Sequence, residues 1–562
     1  MSLIFTVLAN LWRAFRNARV RLFGRPPDYV WLEVSGALPE FESRTGFLRR
    51  RVSPGPPAPT LEGIRERLDR ISADGRPKGV VLRVRDLGAD WAALEELRAE
   101  ITRFRERGGR VVAYLTEPDT PSYYLACAAG EVFASPVSTV NVTGVRARVN
   151  FVKDALAQAG VEAEVISISP YKSAGDALTR NDFSEEAREQ AERLLDARFS
   201  ELIEAVSSGR NMTAEQARTK IDRAPYAARE ALAEGLLDGV CYEDELAERL
   251  GMDGKHATLA EWGRALRALR VPYRTRVRRR IGLVSLSGAI VRGQSRKLPV
   301  PLPLVGREQA GSESVIGALR TAEKDRRIKV VLFHVDSRGG DALASDLIWR
   351  EVERIRAKKP VVVLMGAAAA SGGYYVSASA NHVVARGGTI TGSIGVIITR
   401  PIAAGLYEKL GVNPVALDRG AHAGLMDASR PSTPEELEIL NRQLAHFYGE
   451  FKDRVSEGRS MDLESLERIA GGRVWTGAEA RDLGLVDEVG GFRDALRKAA
   501  ELGGTKDDPG ALLKVSPPRS RRPTPGDPVE TAREMVEATI RTAGGLRGVR
   551  AWAAAPYEVS DG

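Results

Sequence analysis

The chain has 562 residues, more than one ordinary hydrophobic core accommodates, so we expect several domains of about 100–200 residues each. Its hydrophobic content of 43% and charged content of 28% are typical of a globular protein, and its net charge is +8. Two cysteines are too few for a disulfide framework, and the five histidines lack paired spacing. We therefore expect no metal and no cofactor.

The N-terminal segment, residues 1–28, combines an apolar start with spaced arginines. Its apolar run is about half of the ~20 residues that span a bilayer, and the arginines follow this run, unlike in a secretory signal peptide. Trp12 and Phe15 beside arginines are typical of an amphipathic helix that lies in a membrane surface. A terminal helix packed on the protein is an equal alternative. We interpret the later arginine clusters as linker charge and expect no nucleic-acid partner.

The two halves of the chain repeat one sequence plan. Gly144 in VTGV matches Gly395 in SIGV at an offset of 251 (395 − 144), and four further blocks keep nearly the same offset. Such agreement is hard to obtain by chance, and it predicts a tandem duplication. We place the N-terminal repeat at residues 29–270 and the C-terminal repeat at residues 271–503.

Within each half, patterns of buried strands alternate with patterns of amphipathic helices. VVLFHV and PVVVLM have the apolar character of buried strands, and DALASDLIWREVERIRAK between them has helical spacing. This alternation predicts an α/β fold in which βαβ units form a largely parallel sheet in each of two tandem domains. Residues 504–562 are rich in proline and arginine, which predicts a flexible tail with one possible terminal helix at residues 528–541.

Ser371 is the candidate nucleophile. It stands in AAAASGGYYVSA, where the strand pattern VVVLM ends and a helix begins. Small residues on both sides allow a sharp turn and the close approach of a substrate backbone. The N–H of Gly372 would point toward the same space as the hydroxyl, as acyl transfer requires. Ser-Gly-Gly alone is a common turn sequence, so this loop does not define an enzyme by itself.

Two other segments carry groups that acyl transfer needs. Gly339 and Gly340, in HVDSRGGDALASD, follow a strand and precede a helix, where backbone N–H groups can bind an oxyanion. A simple strand-to-helix turn explains these glycines equally well. Lys172, in SISPYKSAGDALTRND, has mostly apolar or small neighbours. A lysine acts as a general base only when it is neutral, which requires burial to lower its pKa, whereas most lysines are solvated.

The repeat relates these candidates to one another. Ser371 corresponds to Thr120 in the first half (371 − 251), which is followed by Pro121 and Ser122 instead of two glycines. Conversely, the YKSAG segment of the first half corresponds to GAHAG near Ala421, which has no lysine. The second half keeps the serine loop that the first half lacks, and the first half keeps the lysine segment that the second half lacks. The pattern predicts one active site assembled from both halves.

At these residues the chain resembles the long, two-domain form of bacterial signal peptide peptidase, in the protease IV family of serine peptidases. The resemblance extends from about residue 29 to residue 503. It rests on the blocks SRGGDALAS, ASGGYYVSA, TGSIGV, GGRVWTGAEARDLGLVDEVGG and YKSAGDALTRND. The family's fold is similar to that of the ClpP and crotonase proteins.

The resemblance implies a Ser–Lys dyad with Ser371 as nucleophile and Lys172 as general base. Oxyanion donors would be the N–H groups of Gly339 or Gly340 and of Gly372. It further implies a bowl-like homotetramer that degrades leftover signal peptides at the bacterial inner membrane, on a side that the sequence does not fix; a cytoplasmic location is the alternative. The alanines at 367–370 favour small or apolar substrate side chains.

The chain departs from the family pattern at two places, and three other interpretations are weighed beside the resemblance. Arg338 stands where the family commonly has proline before the glycines, and the N-terminus has no full membrane span. The alternatives are a Ser–His–Asp peptidase that uses His334 or His422, a crotonase-like acyl-CoA enzyme, and a non-catalytic membrane scaffold of the same family.

Overall fold

The chain is described by a computed structural model that covers residues 3–42, 59–274, 277–302, 306–518 and 552–554. These residues form two compact units. The first unit draws on Met1–Ala147 and Leu195–Val277, and the second on Arg148–Leu194 and Arg278–Glu558. The second unit therefore contains a segment of the N-terminal repeat. The repeat boundaries proposed above describe sequence similarity and stay a prediction.

The first unit is built on a parallel sheet whose apolar strands are buried, as the sequence pattern predicts. In spatial order, the six parallel strands are Gly239–Val240, Glu131–Ala134, Arg110–Leu115, Gly79–Leu87, Tyr29–Gly36 and Leu259–Glu261. A small antiparallel pair joins Thr139–Val140 to Tyr226–Ala227. The described helices of this unit are Leu3–Phe23, Leu61–Asp74, Trp91–Glu106, Thr120–Ala126, Ala214–Arg223, Ala228–Ala233, Leu246–Arg249 and Trp262–Ala268, and the helix Glu185–Arg210 is divided between the units after Leu194.

The second unit contains a main sheet of eight strands. Val361–Ala370 and Ile328–Ser337 lie side by side at its centre, are parallel, and are buried along almost their whole length. The other strands of this sheet are Val474–Thr476, Ile390–Gly392, Arg280–Ser287, Leu512–Lys514, His382–Ala385 and Glu488–Val489. The described helices are Lys153–Gln158, Asp176–Thr179, Ser312–Lys324, Ala342–Arg356, Gly372–Tyr375, Ala404–Lys409, Pro434–Arg459, Leu463–Ile469, Gly477–Asp482 and Phe492–Gly503.

A second sheet of this unit joins segments from both repeats. Glu162–Ser167, from the N-terminal repeat, pairs antiparallel with Ile397–Ile402, from the C-terminal repeat. The remaining strands, in order, are Arg296–Leu302, Gly306–Gly311, Ala289–Val291, Gly339–Asp341 and Trp552–Ala554, the last of which lies next to Ile397–Ile402. This sheet brings the lysine-bearing segment of one repeat into the unit that contains the serine of the other.

The duplication is visible in matching side-chain contacts within the two units. Arg210 forms an ion pair with Asp238, and Arg459 forms the same pair with Asp487, each member offset by 249 (459 − 210 and 487 − 238). The hydroxyl of Tyr374 donates a hydrogen bond to a backbone carbonyl, as its first-repeat counterpart does. Two copies of one α/β plan therefore underlie the chain, and the predicted fold class is confirmed.

The predicted tail lies partly inside the fold. Leu512–Lys514 pairs in parallel with Arg280–Ser287 at the edge of the main sheet, so the folded unit continues beyond residue 504. The predicted terminal helix at residues 528–541 lies outside the described residues.

Candidate active site

Ser371 lies at a sharp turn between a buried strand and a short helix. The strand Val361–Ala370 ends immediately before it, and Gly372–Tyr375 follows as a helix. Ser371 has φ = 54° and ψ = −115°, and its N–H donates a hydrogen bond of 2.8 Å to the carbonyl of Gly392. A non-glycine residue in this region of φ is strained and persists only where its surroundings hold it. The side chain is completely buried.

The glycines beside Ser371 allow the loop at residues 337–341, which we call the donor loop, to approach closely. A Cβ atom on Gly372 would lie 3.3 Å from the nitrogen of Gly340 and 2.5 Å from Ser345 Oγ. A Cβ atom on Gly373 would lie 2.4 Å from the carbonyl oxygen of Ser337. At position 373 only glycine fits without displacing the loop, and at position 372 a side chain would crowd Ser345 and the loop backbone. The structure thus brings the predicted oxyanion glycines together beside the serine.

Within the donor loop, the two glycines differ. The N–H of Gly339 donates to Ser337 Oγ at 3.1 Å, so it has a partner inside the loop. Gly340 has φ = 156°, and a Cβ atom there would lie 2.1 Å from the carbonyl oxygen of Ile290. Gly340 pairs with Ile290 on one side and with Ala553 on the other. The donor loop is therefore part of a sheet that accepts an extended segment next to Ser371.

Lys172 reaches Ser371 from the end of the strand Glu162–Ser167. After that strand, the N–H of Ile168 still donates to the carbonyl of Val396 at 3.2 Å, which extends the ladder toward the lysine. Lys172 Nζ lies 2.8 Å from Ser371 Oγ, and the lysine is 2% exposed. Burial lowers the pKa of Lys172 to about 7.

Ser393 holds the amine in place. Lys172 Nζ donates to Ser393 Oγ at 2.9 Å and to the carbonyl oxygen of Ser393 at 3.0 Å. Ser393 itself has φ = 52°, and its N–H donates to the carbonyl of Arg473 at 2.6 Å. Ser393 stands in the block TGSIGV, and no role was predicted for it from the sequence. A second serine that follows Gly392 in such a block is the signal that was missed.

The tryptophan-containing block, residues 471–491, supports the lysine from the other side. A Cβ atom on Gly472, which has φ = 88°, would lie 2.7 Å from the Cα atom of Lys172. Nearby, the side chain of Gln190 accepts a hydrogen bond from the N–H of Val474 and donates one to the carbonyl of Tyr171. The backbone of this block therefore fits directly against the lysine loop, which sequence spacing alone does not reveal.

The remaining candidates lie elsewhere or have changed. Thr120, the counterpart of Ser371, donates its hydroxyl to the carbonyl of Gly144 at 3.0 Å in the first unit. His422 is exposed in a turn, and His334 is buried on the strand Ile328–Ser337. The hydrogen bond that Ser371 Oγ receives comes from Lys172. Within the described parts of the chain, no group of three His, Cys, Asp or Glu side chains could hold a metal ion.

A buried serine that is hydrogen-bonded to an amine, beside a glycine-rich loop on a parallel α/β sheet, is an arrangement typical of serine hydrolases. The profile of peptidase family S49 matches residues 103–256 and again residues 353–506, one match in each repeat. The chain belongs to this family and is a serine peptidase of its two-domain form.

Named relatives agree with this assignment. The chain is 34% identical over 511 residues to the chloroplastic serine protease SPPA of Arabidopsis thaliana, covering 88% of this chain and 72% of the relative. It is 32% identical over 467 residues to Protease 4 of Haemophilus influenzae, covering 78% and 72%. A mutant ClpP1 structure from Listeria monocytogenes is 16% identical and covers 38% of this chain and 93% of its own, but its TM-score of 0.25 adds no weight.

The close contact at Gly472 predicts that a single methyl group displaces the base. We expect Gly472→Ala to lower kcat at least about tenfold, because its Cβ would meet the backbone of Lys172 at 2.7 Å. The matched control is Gly484→Ala, where φ is 76° and the nearest atom is Met461 Cε at 3.5 Å. Both variants carry a similar backbone strain, so equal activity of the two would contradict this role of Gly472.

The burial of Lys172 also makes the free energy of unfolding depend on pH. The pKa of Lys172 is about 7 in the folded chain and 10.5 for a free side chain. Below pH 7 the amine is protonated in both states, and the folded state bears the full cost of burying the charge; above 10.5 it is neutral in both, and the cost disappears. The free energy of unfolding therefore gains roughly 4–5 kcal/mol from this group as pH rises between the two values.

Lys172→Met removes this cost, so we expect the variant to be more stable than the unmodified chain at pH 7, with a difference that shrinks toward pH 10. Urea unfolding at several pH values measures the difference. Lys255→Met, at an exposed lysine, is the control and should change stability little. A difference for Lys172→Met that stays constant from pH 7 to pH 10 would contradict the lowered pKa.

Proposed function

We propose that the chain hydrolyses peptide bonds with Ser371 as nucleophile and Lys172 as general base. The observation that carries this proposal is the 2.8 Å contact between Lys172 Nζ and Ser371 Oγ in a completely buried setting. With a pKa of about 7, a large fraction of Lys172 is neutral at neutral pH and able to accept a proton.

The contacts of the amine suit this role. A neutral amine has two N–H donors and one lone pair, and Ser393 offers two acceptors, its hydroxyl and its carbonyl oxygen. When both donors bond to Ser393, the lone pair is left for the hydroxyl proton of Ser371. Ser393 therefore orients Lys172 in this proposal and stabilises the ammonium that forms.

Catalysis proceeds in two stages. Lys172 takes the proton as Ser371 Oγ attacks the peptide carbonyl carbon, and the N–H groups of Gly372 and of the donor loop, at Gly339 or Gly340, bind the oxygen that becomes negative. Lys172 then gives the proton to the leaving amine, and an ester of Ser371 remains. Water, deprotonated by Lys172, attacks the ester and releases the second product.

The substrate in this proposal is an extended peptide with small or hydrophobic side chains, such as a cleaved signal peptide. Support comes from the chain's own residues Trp552–Ala554, which lie antiparallel to Gly339–Asp341 and bridge to Ile397. A peptide bound in the same manner would add a strand to the sheet along the donor loop, which approaches Gly372 next to Ser371. The buried alanines at 368–370 leave little room for large side chains beside the bond to be cleaved.

The N-terminal helix Leu3–Phe23 supports a membrane-surface location for this activity. Within the first unit, Asn10 and Asn17 donate hydrogen bonds to the backbone carbonyls of Arg274 and Val271. The apolar side chains of Trp12 (61% exposed) and Phe15 (74% exposed) remain at the surface, together with Leu8, Leu11, Leu22 and Phe23. None of the helices in the described ranges is both long enough and apolar enough to cross a bilayer.

An exposed apolar stripe beside arginines suits insertion into the headgroup region of anionic lipid. We therefore propose attachment to the surface of the bacterial inner membrane, with a cytoplasmic location as the alternative. By resemblance to its family, we further propose that the enzyme is a homotetramer.

The dyad is tested by cleavage of a peptide or of casein. We expect Ser371→Ala and Lys172→Ala each to lower kcat/KM by about a thousandfold or more while the fold is retained. In the unmodified enzyme, kcat/KM should rise about tenfold per pH unit below pH 7 and level off above it, as Lys172 loses its proton. A fluorophosphonate should label Ser371 in the unmodified chain and fail to label Ser371→Ala.

Turnover that survives Lys172→Ala would remove the lysine from the mechanism and favour a histidine base. An unmodified protein that cleaves no peptide and is not labelled by a fluorophosphonate would instead favour a non-catalytic scaffold, whether or not it binds lipid vesicles.

The membrane proposal is tested by cosedimentation of the full chain with lipid vesicles. We expect binding to vesicles that contain phosphatidylglycerol, weaker binding to pure phosphatidylcholine, and loss of binding when Trp12→Glu and Phe15→Glu are combined. Val137→Glu, at an apolar side chain that is 83% exposed on the same unit, is the control. A chain that stays in the supernatant with both vesicle types would support the cytoplasmic alternative.

A further inference from the structure

Arg338 is a residue of the donor loop to which the proposed mechanism gives no role. It stands between Ser337 and Gly339, which are both buried, whereas the side chain of Arg338 is exposed. The N–H of Gly339 donates to Ser337 Oγ at 3.1 Å, so the backbone on both sides of the arginine is held within the loop. A charged, exposed side chain in a loop beside a candidate nucleophile contributes little to packing, and its contribution is to what binds there.

The acidic residues next to this loop have partners on other elements. The carboxylate of Asp341, at one end of the loop, accepts hydrogen bonds of 3.0 Å and 2.9 Å from Arg292. The carboxylate of Asp336, before the loop, accepts a hydrogen bond of 3.2 Å from the N–H of Ala368 on the neighbouring strand. The donor loop therefore has an ion pair without net charge at one end and the cation of Arg338 toward the other.

The pairing of the donor loop gives the direction of a bound peptide. The loop is antiparallel to the chain's own residues 552–554, and the pairs are Gly339 with Ala554, Gly340 with Ala553, and Asp341 with Trp552. A peptide that binds in this direction has its N-terminal part beside Asp341 and its C-terminal part beside Arg338. The residue that follows the partner of Gly339 then lies opposite Arg338.

The bond to be cleaved lies opposite the two glycines of the loop. A Cβ atom on Gly372 would lie 3.3 Å from the Cα atom of Gly339 and 3.3 Å from the nitrogen of Gly340, so the turn that carries Ser371 faces these two residues. If the N–H of Gly340 binds the oxyanion, the second residue after the cleaved bond lies opposite Arg338, and with Gly339 it is the first residue. Arg338 therefore lies on the side of the leaving amine, within two residues of the cleaved bond.

A guanidinium at this place suits a carboxylate of the substrate. Its N–H donors lie in one plane and match the two oxygens of a carboxylate, which an uncharged side chain does not do. In a peptide this carboxylate belongs either to an aspartate or glutamate side chain or to the free C-terminus. A lysine or arginine side chain in the same position would be repelled, so the loop both attracts one class of peptide and disfavours another.

We propose that Arg338 is a specificity-determining residue that selects peptides with a carboxylate one or two residues beyond the cleaved bond. This inference rests on the proposed function, because it narrows the substrate class of the same site. The preferred substrate is an extended peptide with small side chains next to the cleaved bond, where the alanines at 368–370 are buried, and a negative charge on the leaving side. Arg338 acts on substrate binding and takes no part in proton transfer.

The charge preference is tested first on the unmodified full chain. Mass spectrometry locates the cleaved bond in an alanine-rich peptide with an amidated C-terminus, and the two positions after this bond are then replaced in turn by Glu, Gln or Lys. We expect kcat/KM to be about five- to tenfold higher with Glu than with Gln and lowest with Lys, with differences that shrink as salt is added. Equal values for the three peptides would overturn the proposal and leave the proposed function standing, whereas an enzyme that cleaves no peptide would overturn both.

The two sources of the carboxylate are separated by the C-terminus of the peptide. A peptide that ends one or two residues after the cleaved bond is compared as the free acid and as the amide. Faster cleavage of the free acid assigns Arg338 to the peptide terminus, and faster cleavage only with an internal Glu assigns it to acidic side chains. Either result supports a carboxylate at this position, and a gain with neither contradicts it.

Charge exchange at position 338 connects the preference to this side chain. The ratio of kcat/KM for the Glu peptide to kcat/KM for the Lys peptide is measured within each variant, so a general loss of activity does not change it. We expect Arg338→Glu to invert this ratio, Arg338→Gln to bring it toward one, and Arg338→Lys to keep its direction. Arg350→Glu, the same charge change at an exposed arginine on the helix Ala342–Arg356, is the control and should keep the ratio of the unmodified enzyme. A ratio that stays unchanged in both Arg338→Glu and Arg338→Gln would show that another group selects the carboxylate.

Discussion

The ladder between Glu162–Ser167 and Ile397–Ile402 is the constraint on which the candidate site depends. A shift of one residue in a strand moves every side chain to the opposite face, so the register of this ladder decides where the following residues lie. An ion pair of 2.7 Å between Arg400 (4% exposed) and Glu164 (16% exposed) fixes the register. The chain leaves the strand at Ser167, and Lys172 then lies beside Ser371.

The site concentrates features that a stable fold otherwise avoids. Ser371 and Ser393 both have positive φ, and the amine between them is buried. A buried unpaired charge is costly, and a lowered pKa lets the amine reduce this cost by losing its proton. The same lowered pKa is what a general base needs near neutral pH. In this account, one physical cause, the removal of water around Lys172, both destabilises the fold and prepares the chemistry.

Much of this arrangement could be predicted from the sequence because the chain contains two copies of one plan. Thr120 in place of Ser371, and GAHAG in place of the lysine segment, indicated one site made from both halves. The alternation of buried strands with amphipathic helices predicted the parallel sheets. The close approach of Gly472 to Lys172, and the two acceptors of Ser393, could not be predicted, because they depend on which segments meet in space. The inclusion of residues 148–194 in the second unit could not be predicted either, because the sequence of a strand does not reveal which strand it pairs with.

The most direct test of the central claim is the titration of Lys172 by NMR, on the full chain labelled with 13C at the ε carbon of lysine. The account predicts one lysine signal that titrates near pH 7 and is missing in Lys172→Met. The account would be contradicted if the signal of Lys172, identified by its loss in Lys172→Met, titrated near the ordinary value of 10.5 together with all other lysines.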